Sequence, residues 1–163
     1  GVQTCALPIS QTEMIDLNCK ALTRMTCLCL PYLSKGSRVL NIASASAFLP
    51  QPQFAVYAAS KSYVLSFSRG LSMETAARGI VVTAVCPGPV DTPFFEVAGS
   101  DSSKMKKAVM VQPGAVVRQA LWDTRNGRDI SVFGMPMKGV KLATKILPDR
   151  ILRIAMMRIF NTK

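Results

Sequence analysis

The sequence predicts an α/β domain built on a parallel sheet with helices on its faces. Two observations carry that prediction. The runs "SRVLNIAS" (37–44) and "IVVTAVC" (80–86) are short, β-branched and almost continuously apolar, as strands covered on both faces are. Segments of helical periodicity separate and follow them, giving the order strand, helix, strand, helix, strand.

Residues 13–30, "EMIDLNCKALTRMTCLCL", place Met14, Leu17, Ala21, Leu22, Met25 and Leu28 at helical spacing, and Pro31 closes the segment. A turn at Lys35-Gly36 leads into the first strand. "SAFLPQPQF" reads as a loop with two prolines, and a long helix runs from Ala55 to about Arg78, stopped by Gly79. The second strand ends at Pro87-Gly88, and a polar stretch, "AGSDSSKMKK", is expected to be mobile. Pro113 opens a further helix that Gly127 closes. "DISVF" forms a short strand ending at Gly134, and two helical pieces separated by Pro148 finish the chain.

Composition narrows the chemistry. A chain of 163 residues with 49% apolar content has material for one core. Histidine is absent, which excludes a Ser-His-Asp triad, a Cys-His pair and any His-ligated metal. The five cysteines (Cys5, Cys19, Cys27, Cys29, Cys86) are odd in number and lack C-x-x-C spacing. They read as reduced, mostly buried thiols rather than as a disulfide framework or zinc site, so no metal is expected. No stretch is long and apolar enough for a transmembrane helix, and the start lacks a basic leader before an apolar block. The expectation is a cytoplasmic protein.

Ligands of parallel α/β sheets bind beyond the carboxyl ends of the strands. Ser44 and Pro87-Gly88 lie at those ends, and Tyr57 enters the long helix shortly after the first of them. Tyr57 and Lys61 stand at i and i+4 and share a helix face. A free phenol titrates near pH 10, and a neighbouring ammonium favours the phenolate, which lowers that value. A phenol so tuned can protonate a carbonyl oxygen as hydride reaches the carbon, or take the proton back in oxidation. Ser44 can donate to the oxygen on which negative charge builds. Alone, Y-x-x-x-K is also the spacing of an exposed helix pair. Here it comes with "NIAS" and Ser44, 13 residues before Tyr57, and with "PGPVDTPF" after the next strand.

Through "NIASASAFLPQPQFAVYAASK" and "GIVVTAVCPGPVDTPFF" the chain resembles the short-chain dehydrogenase/reductase family, over most of residues 13–96. The resemblance implies the C-terminal part of a Rossmann-like doubly wound parallel sheet, a three-layer α/β/α fold truncated at its N-terminus. It casts Tyr57 as the catalytic acid/base, Lys61 as the residue that tunes it and holds the nicotinamide ribose, and Ser44 as the donor to the substrate oxygen. Asn18, in "DLNCKALTRM", falls where the family places an asparagine that shapes a helix and supports a proton-relay water. Pro87, Gly88, Val90 and Thr92 match the loop that covers the nicotinamide. Ser46 is a candidate second polar contact for substrate, and Phe48, Phe54 and Phe94 are candidate pocket walls or core aromatics. The implied cofactor is NADP or NAD, with NADP ahead. The implied substrate is a small molecule with a carbonyl or alcohol group, and the implied parent is a homodimer or homotetramer built partly from the helices at 13–30 and 55–78.

The family's opening strand, glycine-rich turn and helix have no counterpart here: none of the ten glycines forms G-x-x-x-G-x-G. "GVQTCALPI" resembles the translated read-through of a sequencing adapter. Residues 1–10 are therefore expected to be non-native, 11–135 a partial catalytic domain, and 136–163 a basic helical extension. Such a piece would expose a sheet edge, and inactivity and poor solubility are expected of it.

The net charge of +11 sits at one end. Residues 104–163 hold 13 Lys/Arg against 3 Asp/Glu, and residues 1–103 hold 7 against 6. The tail "KGVKLATKILPDRILRIAMMRIFNTK" alternates cations with Leu, Ile, Met and Phe. It reads first as a lid or a docking element for a partner subunit, then as a peripheral membrane contact through 139–163. No aromatic-basic motif supports nucleic acid. Two functions remain: an oxidoreductase interconverting a ketone and a secondary alcohol, and a non-catalytic interaction protein that kept the fold.

Overall fold

The structure is a computed structural model that describes residues 8–92 and 110–161. Its centre is a three-stranded, wholly parallel sheet in the order β1 (Arg38–Ile42), β2 (Val81–Val85), β3 (Ile130–Ser131). Among the described residues six α-helices accompany it: α1 (Pro8–Ile15), α2 (Leu22–Cys29), α3 (Ala55–Thr75), α4 (Pro113–Arg125), α5 (Met135–Ile146) and α6 (Asp149–Asn161). The α/β class and the parallel sheet match the sequence-based expectation.

Strand β2 shows why the fold has three layers. Its side chains alternate between faces, as the two-residue period of a strand requires. Val82 packs with Leu71 of α3, and Ala84 and Cys86 pack with Val64 of α3. Val85, from the opposite face, packs with Val116 and Ala120 of α4. Both faces are therefore covered and the strand is buried throughout most of its length.

The first helical segment begins at Pro8, earlier than its apolar spacing indicates, because proline suits the first turn of a helix. It is interrupted by a π-helical turn, Asp16–Ala21. The wider turn shifts the phase of the residues after it. Beyond the turn Met25 and Leu28 are exposed while Leu22 packs on the core, and Leu17, inside it, is exposed too. The predicted loop after β1 holds a short 3-10 helix, Ala45–Phe48. Gly79 ends the long helix with φ +67°, where an added Cβ would meet Lys35 Cγ at 2.8 Å. β3 is shorter than "DISVF" because its partner strand runs into Pro87, which has no N–H to extend the ladder. The polar stretch 98–107 lies outside the described residues. Among the described residues β1 pairs on one side only, and Ile42 at its end is 55% exposed.

One buried carboxylate locks α4 to β3. Asp123 is 2% exposed. It accepts hydrogen bonds from Ser131 Oγ at 2.7 Å and Arg128 Nη1 at 2.9 Å. Arg128 in turn stacks over Trp122, 4.7 Å from the ring centroid. Asp123→Ala leaves a buried hydroxyl and a cation without their acceptor, and is expected to destabilise the fold by about 3 kcal/mol. Urea unfolding followed by circular dichroism measures it, and a loss under about 1 kcal/mol would make the cluster peripheral to stability.

Candidate active site

The carboxyl ends of β1 and β2 open into a cavity of about 530 Å³. Its wall contains Asn18, Ser44, Tyr57, Lys61, Pro87, Gly88, Val90 and Thr92, eight of the residues that the sequence singles out. Ser46, Phe48 and Phe54 do not line it. Ser46 donates its backbone N–H to Ser44 Oγ at 3.1 Å, Phe48 packs on the core, and Phe54 meets Phe160 with ring centroids 6.5 Å apart. Phe94 lies outside the described residues.

Each site residue is placed by a local cause. Ser44 follows β1 in extended conformation and caps the 3-10 helix. Tyr57 and Lys61 share a face of α3, with Lys61 Nζ 5.9 Å from the Tyr57 ring centroid. Ahead of the helix, Gln53 adopts φ +67°, a conformation that side chains other than glycine and asparagine rarely take. Asn18 sits inside the π turn. The loop from Pro87 to Thr92 is held at both ends: Pro87 O accepts from Ala45 N at 2.8 Å, and Asp91 N donates to Val111 O at 3.0 Å. Against Gly88 lies Met137, whose Cγ would be 2.7 Å from an added Cβ.

A hydrogen-bond chain links these parts. Asn18 Nδ2 donates to Ser60 Oγ at 3.1 Å, and Ser60 Oγ donates to the carbonyl of Tyr57 at 2.8 Å. With its amide nitrogen so engaged, Asn18 turns Oδ1 to Lys61 Nζ, 3.5 Å away. Lys61 Nζ also donates to the Ile42 carbonyl at 2.9 Å. Sequence reasoning missed Ser60. Its i+3 spacing from Tyr57 hints at the helix-carbonyl bond, but nothing local announces Asn18, 42 residues away.

The electrostatics differ from the simple Tyr-Lys picture. Burial pushes the Tyr57 phenol above its ordinary value of 10.0, and a side-chain hydrogen bond with Ser44 works against that rise. Burial is the larger cause and outweighs what lowers the phenol, while the Lys61 ammonium donates to Ile42 O and lies 3.5 Å from Asn18 Oδ1. Burial lowers Lys61 below 10.5, opposed by Cys19 and Cys86. The site so built can hold a protonated phenol beside a hydroxyl and a cation, which is the equipment for giving a proton to a polarised oxygen.

Residues 8–103 match the short chain dehydrogenase family. The chain belongs to that family. An uncharacterized oxidoreductase of Staphylococcus epidermidis is 41% identical over 96 residues, 58% of this short-chain dehydrogenase chain and 41% of that protein. The very-long-chain 3-oxoacyl-CoA reductase of Anas platyrhynchos is 39% identical over 88 residues, 53% of this chain and 28% of that one. The chain thus spans about two fifths, or less, of the length of the relatives it matches. A short-chain dehydrogenase from Burkholderia cenocepacia in complex with NADP has a TM-score of 0.75 at 21% identity, covering 92% of this chain and 62% of its own. One from Sphingobium yanoikuyae in complex with NADPH has a TM-score of 0.67 at 24% identity, covering 91% and 55%. At those identities the likeness is one of fold.

Cys86, at the end of β2, gives a pH test of the site's burial. Burial pushes its thiol from the ordinary 9.0 up to about 12. The folded chain therefore keeps a proton that the unfolded chain releases. The contribution is whole below pH 9.0 and is lost as pH rises toward about 12, on the order of 1 kcal/mol per pH unit. Tyr57, also raised, adds to the loss above 10.0. Urea unfolding at about pH 8 and about pH 10.5 should show the fall, and Cys86→Ala should flatten it. An unchanged slope in Cys86→Ala would assign the loss to other groups.

Proposed function

We propose that the chain carries the catalytic face of an NAD(P)-dependent oxidoreductase that interconverts a ketone and a secondary alcohol by hydride transfer, with Tyr57 as acid/base. The observation that supports it best is the convergence of Ser44, Tyr57, Lys61 and Asn18 on one cavity at the carboxyl end of a parallel sheet. In the reduction direction the buried phenol stays protonated through neutral pH and gives its proton to the substrate oxygen. Ser44 donates to the same oxygen and stabilises the charge that grows there. Lys61 positions rather than titrates, its ammonium fixed by Ile42 O and Asn18 Oδ1. Asn18 and Ser60 keep that ammonium and the tyrosine backbone in register.

The residues fit the nicotinamide half of the cofactor, which supplies or accepts the hydride when bound. Lys61 would hold its ribose, and the Pro87–Thr92 loop, with Gly88 and Val90 on the cavity wall, would cover its ring. The neighbours solved with NADP and NADPH favour NADP as the first cofactor to try, while a 4-hydroxyisoleucine dehydrogenase solved with NADH keeps NAD in the assay. A bulky apolar substrate is supported by neighbours that include a 7beta-hydroxysteroid dehydrogenase and a bulky-bulky ketone specific alcohol dehydrogenase. Exposed Met25 and Leu28 on α2 and Tyr63 on α3 support assembly as a homodimer or homotetramer through those helices.

The test is turnover by the product of the open reading frame that contains this chain, followed by nicotinamide absorbance over a panel of bulky ketones. Tyr57→Phe is expected to lower kcat about a thousandfold while leaving cofactor binding intact. The reduction rate of the unaltered enzyme should hold through neutral pH and fall only as pH passes the raised phenol value. Equal turnover with and without the phenol would overturn the reading.

A further inference from the structure

The C-terminal helices have one face turned to the site and another turned away. Inward, Met137 of α5 packs on Gly88, Met156 of α6 is 8% exposed, and Phe160 of α6 sits against Phe54 at the start of the catalytic helix. Outward, α5 shows Met135, Leu142 and Ile146, exposed at 78%, 58% and 69%. Their spacing of seven and four residues sets them on one face of the helix. Lys138 and Lys145, also exposed and seven apart, run alongside that stripe. On α6 the face opposite Met156 carries Ile151, Ile154 and Met157, each about half exposed. Arg150 and Arg158 stand among them.

Charge decides what covers this surface. From Met135 to Asn161 there are six Lys/Arg and one acid, Asp149, which is bound to Arg153 at 2.9 Å. A protein partner or a second copy of this chain would set cation against cation unless it brought its own acidic patch. A nucleic acid would satisfy the cations and leave the isoleucine, leucine and methionine side chains against phosphate and sugar. Aliphatic side chains interleaved with cations match a surface that offers hydrocarbon just beneath a plane of negative headgroups. We propose that the outer faces of α5 and α6 dock the protein on the surface of an anionic phospholipid bilayer. Among the described residues no helix is long and apolar enough to cross a membrane, so the contact is one of lying on the surface. It places the loop residue Gly88, through its contact with Met137, behind the docked layer.

Sedimentation of the whole chain with vesicles tests it, using phosphatidylcholine alone and phosphatidylcholine with about one fifth phosphatidylglycerol. Binding should be at least tenfold stronger to the anionic vesicles and weaken at high salt. The triple variant Lys138→Gln, Lys145→Gln, Arg150→Gln should lose about 100-fold, at roughly fivefold per cation. Leu142→Ser with Ile146→Ser should lose binding at low salt as well. All five side chains are exposed, and an unchanged circular dichroism spectrum checks that the fold is intact. Equal binding to neutral and anionic vesicles would overturn the proposal, as would a triple variant that binds like the parent. So would sedimentation without vesicles that Leu142→Ser abolishes, which would show the face pairing copies of the chain. None of these readouts depends on turnover, so they stand or fall apart from the oxidoreductase reading.

Discussion

The hydrogen bond from Lys61 Nζ to the carbonyl of Ile42 ties the catalytic helix to the end of the sheet. It exists because of a backbone rule. Consecutive residues of a strand send their polar groups to opposite edges, and Ala43 turns its N–H to Val85 on the β2 side. Ile42 therefore turns its carbonyl the other way, toward an edge where Lys61 is the partner that the described residues supply. A carbonyl on a strand edge that no neighbouring strand pairs takes a donor where one is in reach, and a half-buried ammonium needs acceptors. Each meets the other's requirement, and the position of Tyr57, one helical turn earlier, follows from it. The burial that lowers Lys61 and raises Tyr57 is the electrostatic trace of the same close packing.

That closeness depends on what α3 turns toward the sheet. Its buried positions include Ala58, Ser60, Ser68 and Thr75, small or short side chains where a larger residue would hold the helix off. Each of the polar ones has a partner. Ser60 donates to the Tyr57 carbonyl, Ser68 accepts from Asn41 of β1 at 3.0 Å, and Thr75 donates to the Leu71 carbonyl at 2.8 Å. Polar groups buried in this way cost little because none is left unmet. The Asn41–Ser68 bond fixes the helix against the strand two turns beyond the active site. It acts as a second anchor along the same helix and resists its rotation, which would swing Tyr57 off the cavity wall.

Much of this was legible in the sequence, and the illegible remainder has a common character. The two apolar strand runs, the long helix and the prolines and glycines that bound them act locally, so they could be read directly. Tyr57, Lys61, Ser44 and the Pro87 loop could be read because strand ends converge in a parallel sheet. The π turn at Asp16–Ala21 could not be read: it has no composition of its own, and it changes the phase of Met25 and Leu28, which stand exposed beyond it. Ser60 was given no role and Phe54 was left open for a similar reason. Their roles are set by Asn18 and Phe160, far away in sequence. The direction of the Tyr57 shift was also beyond the sequence, since helical spacing gives the neighbour but not the depth of burial that raises the phenol.

The contact of Met137 with Gly88 makes the tail part of the site. Gly88 faces the cavity on one side and the thioether on the other, with no room between for even a methyl group. A side chain there would have to displace the Met137 side chain or intrude on the space over the loop. Phe160 adds a second contact, at the residue that precedes α3. The tail is thus fastened at both ends of the catalytic unit, to the loop after β2 and to the entry of the helix that bears Tyr57. Met137 also packs against the core cluster of Ala43, Val64, Ala84, Cys86 and Val132, so α5 is seated on the sheet as well as on the loop. From Met135 to Asn161 six cations stand against one acid, so the segment that touches the site through Met137 and Phe160 is also strongly basic.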